Sequence, residues 1–282
     1  MLFKKLFRNN KIKISSNYLF IVFLFIGFCF FVGISLFYKS FGQKPNYLFV
    51  KVKVGQGLWW AATQKPEFWF VKSIKKGEKE TDFAGRSQAE IVGVRYYPVL
   101  SDTSYSRYDI FLNIKIRTTY DRKNNQYFFK RNAVSVGSPI EFEFSTINIT
   151  GTVVEMSKDN IKTKYVEKTV YLYNYGAYKK DFPYLYDSIK IGDKYFDGEK
   201  EVFRVVDKEL VEGIRLSSDI YGRLYEQSTD VFQNILVKAV VKLTEKDGQL
   251  FYGEERALKI GDQFPFLTEG YNFEAFSIAK IE

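Results

Sequence analysis

Few residues in this 282-residue chain could do chemistry. It has no histidine, and its one cysteine is Cys29. That removes Ser-His and Cys-His nucleophile pairs, histidine metal sites, thiolate zinc sites and intrachain disulfides. Carboxylates, lysines and hydroxyls remain. The most motif-like of these are two Gly-Asp steps, Ile191-Gly192-Asp193 and Ile260-Gly261-Asp262. Aspartates there could hold a cation or act as acids. They could equally close a tight turn, with glycine at positive φ and aspartate accepting a nearby backbone N–H. The matching earlier positions are Gly77-Glu78 and Gly137-Ser138. A turn survives the exchange of Asp for Glu or Ser, and a shared catalytic role does not. Gly77, Gly137, Gly192, Asp193, Gly261 and Asp262, with the hairpin glycine Gly248, are therefore read as structural turn residues. Gly55-Gln56-Gly57 lacks the later Gly and Lys of a phosphate loop, and Asn148-Ile149-Thr150 is read as a chance glycosylation sequon. No catalytic, cofactor-binding or metal-ligating residue is assigned, and no cofactor is expected.

A different kind of candidate is the aromatic stretch Trp59, Trp60, Phe68, Trp69 and Phe70, which holds all three tryptophans. These are candidate surface-contact residues, facing lipid headgroups, a partner or a glycan. Core packing is the competing reading.

These residues must be positioned by an apolar segment and a β-rich remainder. Ile14 to Tyr38 carries no charge. At about 1.5 Å rise per residue, its apolar part from Tyr18 spans about 30 Å, the thickness of a bilayer core. It exceeds the usual core of a cleaved signal, so an uncleaved anchor is expected over 17–38, preceded by a basic tail, 1–16. Lys4, Lys5, Arg8, Lys11 and Lys13 are poised for anionic headgroups. They take five of the 42 basic residues, leaving 37 against 33 acidic ones in the rest of the chain. The high isoelectric point thus belongs mainly to the tail and does not argue for nucleic acid. The expected location is the cell membrane, single-pass, with the N-terminus cytoplasmic and the C-terminal domain outside.

Beyond a linker, 39–47, one unit is written twice. Ser73-Ile74-Lys75-Lys76-Gly77-Glu78-Lys79 matches Ser188-Ile189-Lys190-Ile191-Gly192-Asp193-Lys194. Long strand-like stretches, Ile110–Tyr120 and Val231–Leu243, lead to hairpin signals at Asn124-Asn125 and Asp247-Gly248. Ala133–Gly137 then matches Ala257–Gly261, and each unit ends in a further strand. Period-two alternation runs almost throughout. The expected fold is mainly β: tandem duplicated barrel-like or sandwich β-domains, 48–156 and 169–282, joined by a charged connector, 157–168, and preceded by one transmembrane helix.

The run Ile189-Lys190-Ile191-Gly192-Asp193-Lys194 with Asp197-Gly198, together with Val136-Gly137 and the closing Gly151-Thr152-Val153-Val154, resembles an uncharacterised bacterial family. That resemblance implies one N-terminal membrane helix and a small β-domain, here present twice. It implies no activity and transfers no catalytic residue. Bacterial signal peptidases also join an anchor to a β-domain, but they need a Ser-Met pair after the anchor. The only methionines here are Met1 and Met156, so that resemblance is rejected. The expected function is a membrane-anchored, non-enzymatic envelope protein. Its tandem β-domain would bind a protein partner, an envelope polymer or another copy, as a subunit of a secretion, transport or envelope-assembly complex. The alternative is a membrane-bound hydrolase using carboxylates or a Ser-Lys pair.

Overall fold

The computed structural model describes residues 16–41, 46–55, 66–99, 107–174, 183–218, 220–268 and 270–282. The chain divides into two compact units, Met1–Pro45 and Asn46–Glu282. The first contains helix α1 (Ser16–Phe41). All its described side chains, residues 20–35, are exposed, Phe31 to 72%. Among the described residues no helix is long and apolar enough to cross a membrane. The helical backbone itself is 26 residues long.

The second unit is mainly β and holds two curled sheets in tandem. The first repeat runs β1 (Asn46–Val54), α2 (Phe68–Ser73), β2 (Lys79–Thr81), β3 (Ser87–Pro98), β4 (Tyr108–Asp121), β5 (Gln126–Phe129), β6 (Asn132–Val134), β7 (Pro139–Glu143) and β8 (Asn148–Ser157). The second runs β9 (Val166–Asn174), α3 (Pro183–Ser188), β10 (Lys194–Phe196), β11 (Glu201–Ser218), β12 (Leu224–Lys246), β13 (Gln249–Tyr252), β14 (Arg256–Ala257), β15 (Gln263–Leu267) and β16 (Asn272–Ile281). The strand orders match one for one: β2-β3-β4-β1-β8-β7 and β10-β11-β12-β9-β16-β15. Val50, Ile114 and Ile116 in one sheet, and Val170, Ala239 and Val241 in the other, are fully buried. Their alternation with outward side chains is the period-two pattern of a sheet with one packed face.

Among the described residues the same turn occurs four times. In Lys75–Glu78, Ser135–Ser138, Lys190–Asp193 and Lys259–Asp262 the last N–H bonds to the first carbonyl. The third residue is glycine at φ between 86° and 94°. That is a type II turn, whose third position requires positive φ. Each glycine N–H also donates to a strand carbonyl, of Ile91, Val153, Val205 and Ile278 respectively. The glycines thus start the short edge strands. The acidic residue after two of them has a further task. Glu78 accepts hydrogen bonds from Ser145 Oγ and from the Thr146 N–H and hydroxyl, at 2.8–2.9 Å. Asp193 Oδ2 accepts from Lys190 N–H and from Tyr271 O–H, both at 2.8 Å. In each repeat the start of the first edge strand is therefore tied to the loop between the last two strands. The sheet curls until its two edges approach. Burial works against the Glu78 charge, but the Thr146 and Ser145 hydrogen bonds outweigh it and hold the carboxyl below its usual range.

The hairpins differ between repeats. Asp247-Gly248 forms a two-residue turn with φ of 52° and 75°, closing Lys246 on Gln249. In the first repeat Asp121 pairs with Gln126, so four residues intervene.

Candidate functional site

Named by what it holds, the site is the joint between the repeats. Repeat one presents Lys51 and Lys53 from β1, Arg95, Tyr96 and Tyr97 from β3, and Asn113 from β4. Repeat two inserts its β10–β11 turn, Asp197-Gly198-Glu199-Lys200, and its β13–β14 turn, Gly253-Glu254-Glu255. Basic groups on one side thus meet acidic groups on the other.

Arg95 is 1% exposed. Its Nη1 lies 2.9 Å from Glu254 Oε1, and Lys51 Nζ lies 2.9 Å from Glu254 Oε2. The Arg95–Glu254 contact is an ion pair, and among the described residues neither Arg95 Nε nor Glu254 Oε1 has a hydrogen-bond partner. Lys51 also reaches Glu155 at 2.7 Å, and Lys53 pairs with Glu255. Desolvation opposes the Arg95 charge, but the Glu254 carboxylate outweighs it, and the guanidinium pKa ends above its ordinary value. Each member of the pair is a buried ionic partner of the other.

Asp197 is fully buried. Its Oδ1 accepts the Glu199 and Lys200 N–H groups at 2.8 Å, and its Oδ2 accepts the hydroxyls of Tyr97 at 2.8 Å and Tyr165 at 3.2 Å. Burial and the Asp197 charge both push the Tyr97 hydroxyl pKa up, so it stays a donor. Main chain joins main chain as well: Tyr96 N–H donates to Asp197 O at 2.8 Å, and Tyr195 O–H to Tyr96 O at 3.0 Å. Gly198, at φ 104°, makes this approach possible. A Cβ there would sit 2.7 Å from Val94 O.

No protein-family model, curated protein or solved structure matches this chain.

The connector takes part in the joint. Within the charged connector, 157–168, Ile161 is buried and its carbonyl accepts Asn113 Nδ2–H at 3.0 Å. Thr163 and Tyr165 lie against Arg95 and Asp197. Beside the joint a cleft of about 640 Å³ is lined by Phe68, Lys72, Tyr96, Glu199 and Lys200, among others. Among the described residues no group of three or more His, Cys, Asp or Glu converges where a metal could sit.

The structure separates the aromatic candidates. Phe70 is buried, Phe68 is half-exposed at the cleft, and Trp69 is 59% exposed with its Nε1–H bonded to Glu67 at 3.0 Å. Trp59 and Trp60 lie outside the described residues, as do Lys4, Lys5, Arg8, Lys11 and Lys13. The turn residues Gly77, Gly137, Gly192, Gly248 and Gly261 all take positive φ. Asp193 bonds within its own turn, and the Asp262 N–H closes its turn onto Lys259 O at 3.1 Å. None of these turn residues enters the joint. Sequence reasoning missed Arg95, Asp197, Glu254 and Lys51. The available signal was a broken repeat: where unit one has Lys130-Arg131 at its β5–β6 turn, unit two has Gly253-Glu254.

Proposed function

We propose that this chain is a membrane-anchored, non-enzymatic binding protein of the cell envelope. In this reading α1 lies in lipid and the tandem β-unit is held at the surface to bind a partner. The observation that carries it is α1: sixteen consecutive exposed side chains, Phe20 to Ser35, with Phe23, Phe25, Phe30 and Phe31 among them. Apolar surface of this extent is covered by lipid or by another protein, because leaving it in water costs about 25 cal/mol per Å². The uncharged run from Ile14 to Tyr38 fits lipid. The buried carboxylates of the joint support binding over hydrolysis. Glu254 faces two cations and Asp197 has all its acceptor positions engaged, so neither is free to move a proton in an open cleft. A role within a secretion, transport or envelope-assembly complex is the class that an anchored, rigid β-unit fits.

Membrane fractions washed with alkaline carbonate test the reading. The full chain is expected to stay in the pellet, and protease added to intact cells or spheroplasts is expected to trim it to the anchor. Release of the chain into the carbonate supernatant would remove the anchor.

A further inference from the structure

The joint between the repeats is heterologous: loops of repeat two dock on a sheet face of repeat one. Each repeat has both parts, so among the described residues one set of loops and one face stay unfilled at the ends of the tandem. The shared register identifies them. β3 has a bulge between Ile91 and Gly93, and β11 has one between Val205 and Asp207. Gly93 therefore corresponds to Asp207 and Arg95 to Glu209. The pairings of β1 and β9 put Lys51 opposite Asn113 and Tyr171 opposite Lys238. On the loop side, Asp197–Lys200 corresponds to Asp82–Arg86, and Gly253-Glu254 to Lys130-Arg131. The backbones agree: Lys130 and Arg131 have φ of 46° and 73°, and Gly253 and Glu254 have 65° and 71°.

The polarity of the key pair is reversed at the ends. The filled joint sets Arg95 on the face against Glu254 on the loop. The open face carries Glu209, exposed, and the open loop carries Arg131, also exposed. Asp207 is exposed beside Glu209. The lysine of that face, Lys238, lies 5.6 Å from the Tyr171 ring centre, while Lys208, which alternates to the other face, donates to Tyr186 O at 2.7 Å. A cavity of about 150 Å³, lined by Tyr171, Asp207, Glu209 and Leu236 with these lysines, occupies the position that repeat two's turn fills in repeat one. At the tip of the open loop Phe83 is fully exposed, at 101%.

We propose that a second copy of this chain docks head to tail, its Asp82–Arg86 and Lys130-Arg131 loops seating on the β11 face of repeat two, with Arg131 meeting Glu209. The contact is heterologous, so it propagates into a row or closes as a ring. This deepens the binding reading by naming one partner. Its failure would leave carbonate-resistant anchoring intact, so the two tests are distinguishable.

Sedimentation of the full chain in detergent micelles, over a range of concentrations, tests it. The wild type is expected to form concentration-dependent species that dissolve with added salt. Arg131→Glu and Glu209→Arg are each expected to weaken association about tenfold or more, and the two together in one chain to restore it. A wild type that stays monomeric overturns the proposal. So do single variants that associate as the wild type does, which would place the contact elsewhere, and so does a double variant without recovery.

Discussion

Arg95→Met lowers the unfolding free energy of the β-unit by about 3–5 kcal/mol, the cost of leaving a buried carboxylate without its partner. Glu254 has a side chain only 3% exposed and faces Arg95 at 2.9 Å. Lys51 remains beside it, but Lys51 is already shared with Glu155. The loss falls on the joint, because Arg95 also lies against Thr163 and within 3.4 Å of Asn113 Oδ1. A buried ion pair is weak evidence of net stabilisation, since desolvation offsets most of the attraction. Replacing both partners, Arg95→Met with Glu254→Met, is therefore expected to recover part of the loss. Urea unfolding of the full chain in detergent reads both changes. Equal stability of Arg95→Met and wild type would mean that the pair does not hold the repeats together.

Gly198→Val is the second large effect, expected at about 2–4 kcal/mol from left-handed strain and overpacking combined. The residue sits at φ 104° in the inserted turn, and any Cβ would lie 2.7 Å from Val94 O and 2.8 Å from the Tyr96 ring. The obstacle is main chain on one side, so side-chain motion alone does not relieve it. The turn must withdraw, which breaks the Tyr96 N–H to Asp197 O bond and exposes the Asp197 carboxylate. Gly192→Val offers the contrast. It is strained at φ 94°, but nothing lies within 4 Å of its Cβ position, so its cost is limited to the backbone. A Gly198→Val chain no less stable than Gly192→Val would show that the turn does not need its close approach.

The duplication is legible in the sequence because it rests on local rules. Glycine at the third position of a type II turn, alternating apolar residues and Asp-Gly hairpins each leave a mark within a few residues, and the two copies reinforce one another. The joint is not legible, because its partners are far apart in sequence. Arg95 and Glu254 are both charged residues in strand-rich surroundings, and nothing local marks either as buried. The connector's part in the joint is hidden for the same reason: among Lys158, Lys162 and Lys164, nothing local marks Ile161 as buried or Tyr165 as packed against the core. The Gly-acid steps read as turns alone. Their carboxylates also reach across to Thr146 and Tyr271, a role that depends on the curl of the sheet and not on sequence spacing.

The claim that the repeats form one unit is tested most directly by unfolding a Trp59→Phe, Trp60→Phe chain with two probes at once. The remaining tryptophan, Trp69, lies in α2 of repeat one, so its fluorescence follows that repeat. Far-UV circular dichroism follows the strands of both. A joint built from Arg95, Glu254, Asp197 and Gly198 predicts a single transition with coincident midpoints. Dichroism that falls in two steps, with fluorescence following only one of them, would contradict it.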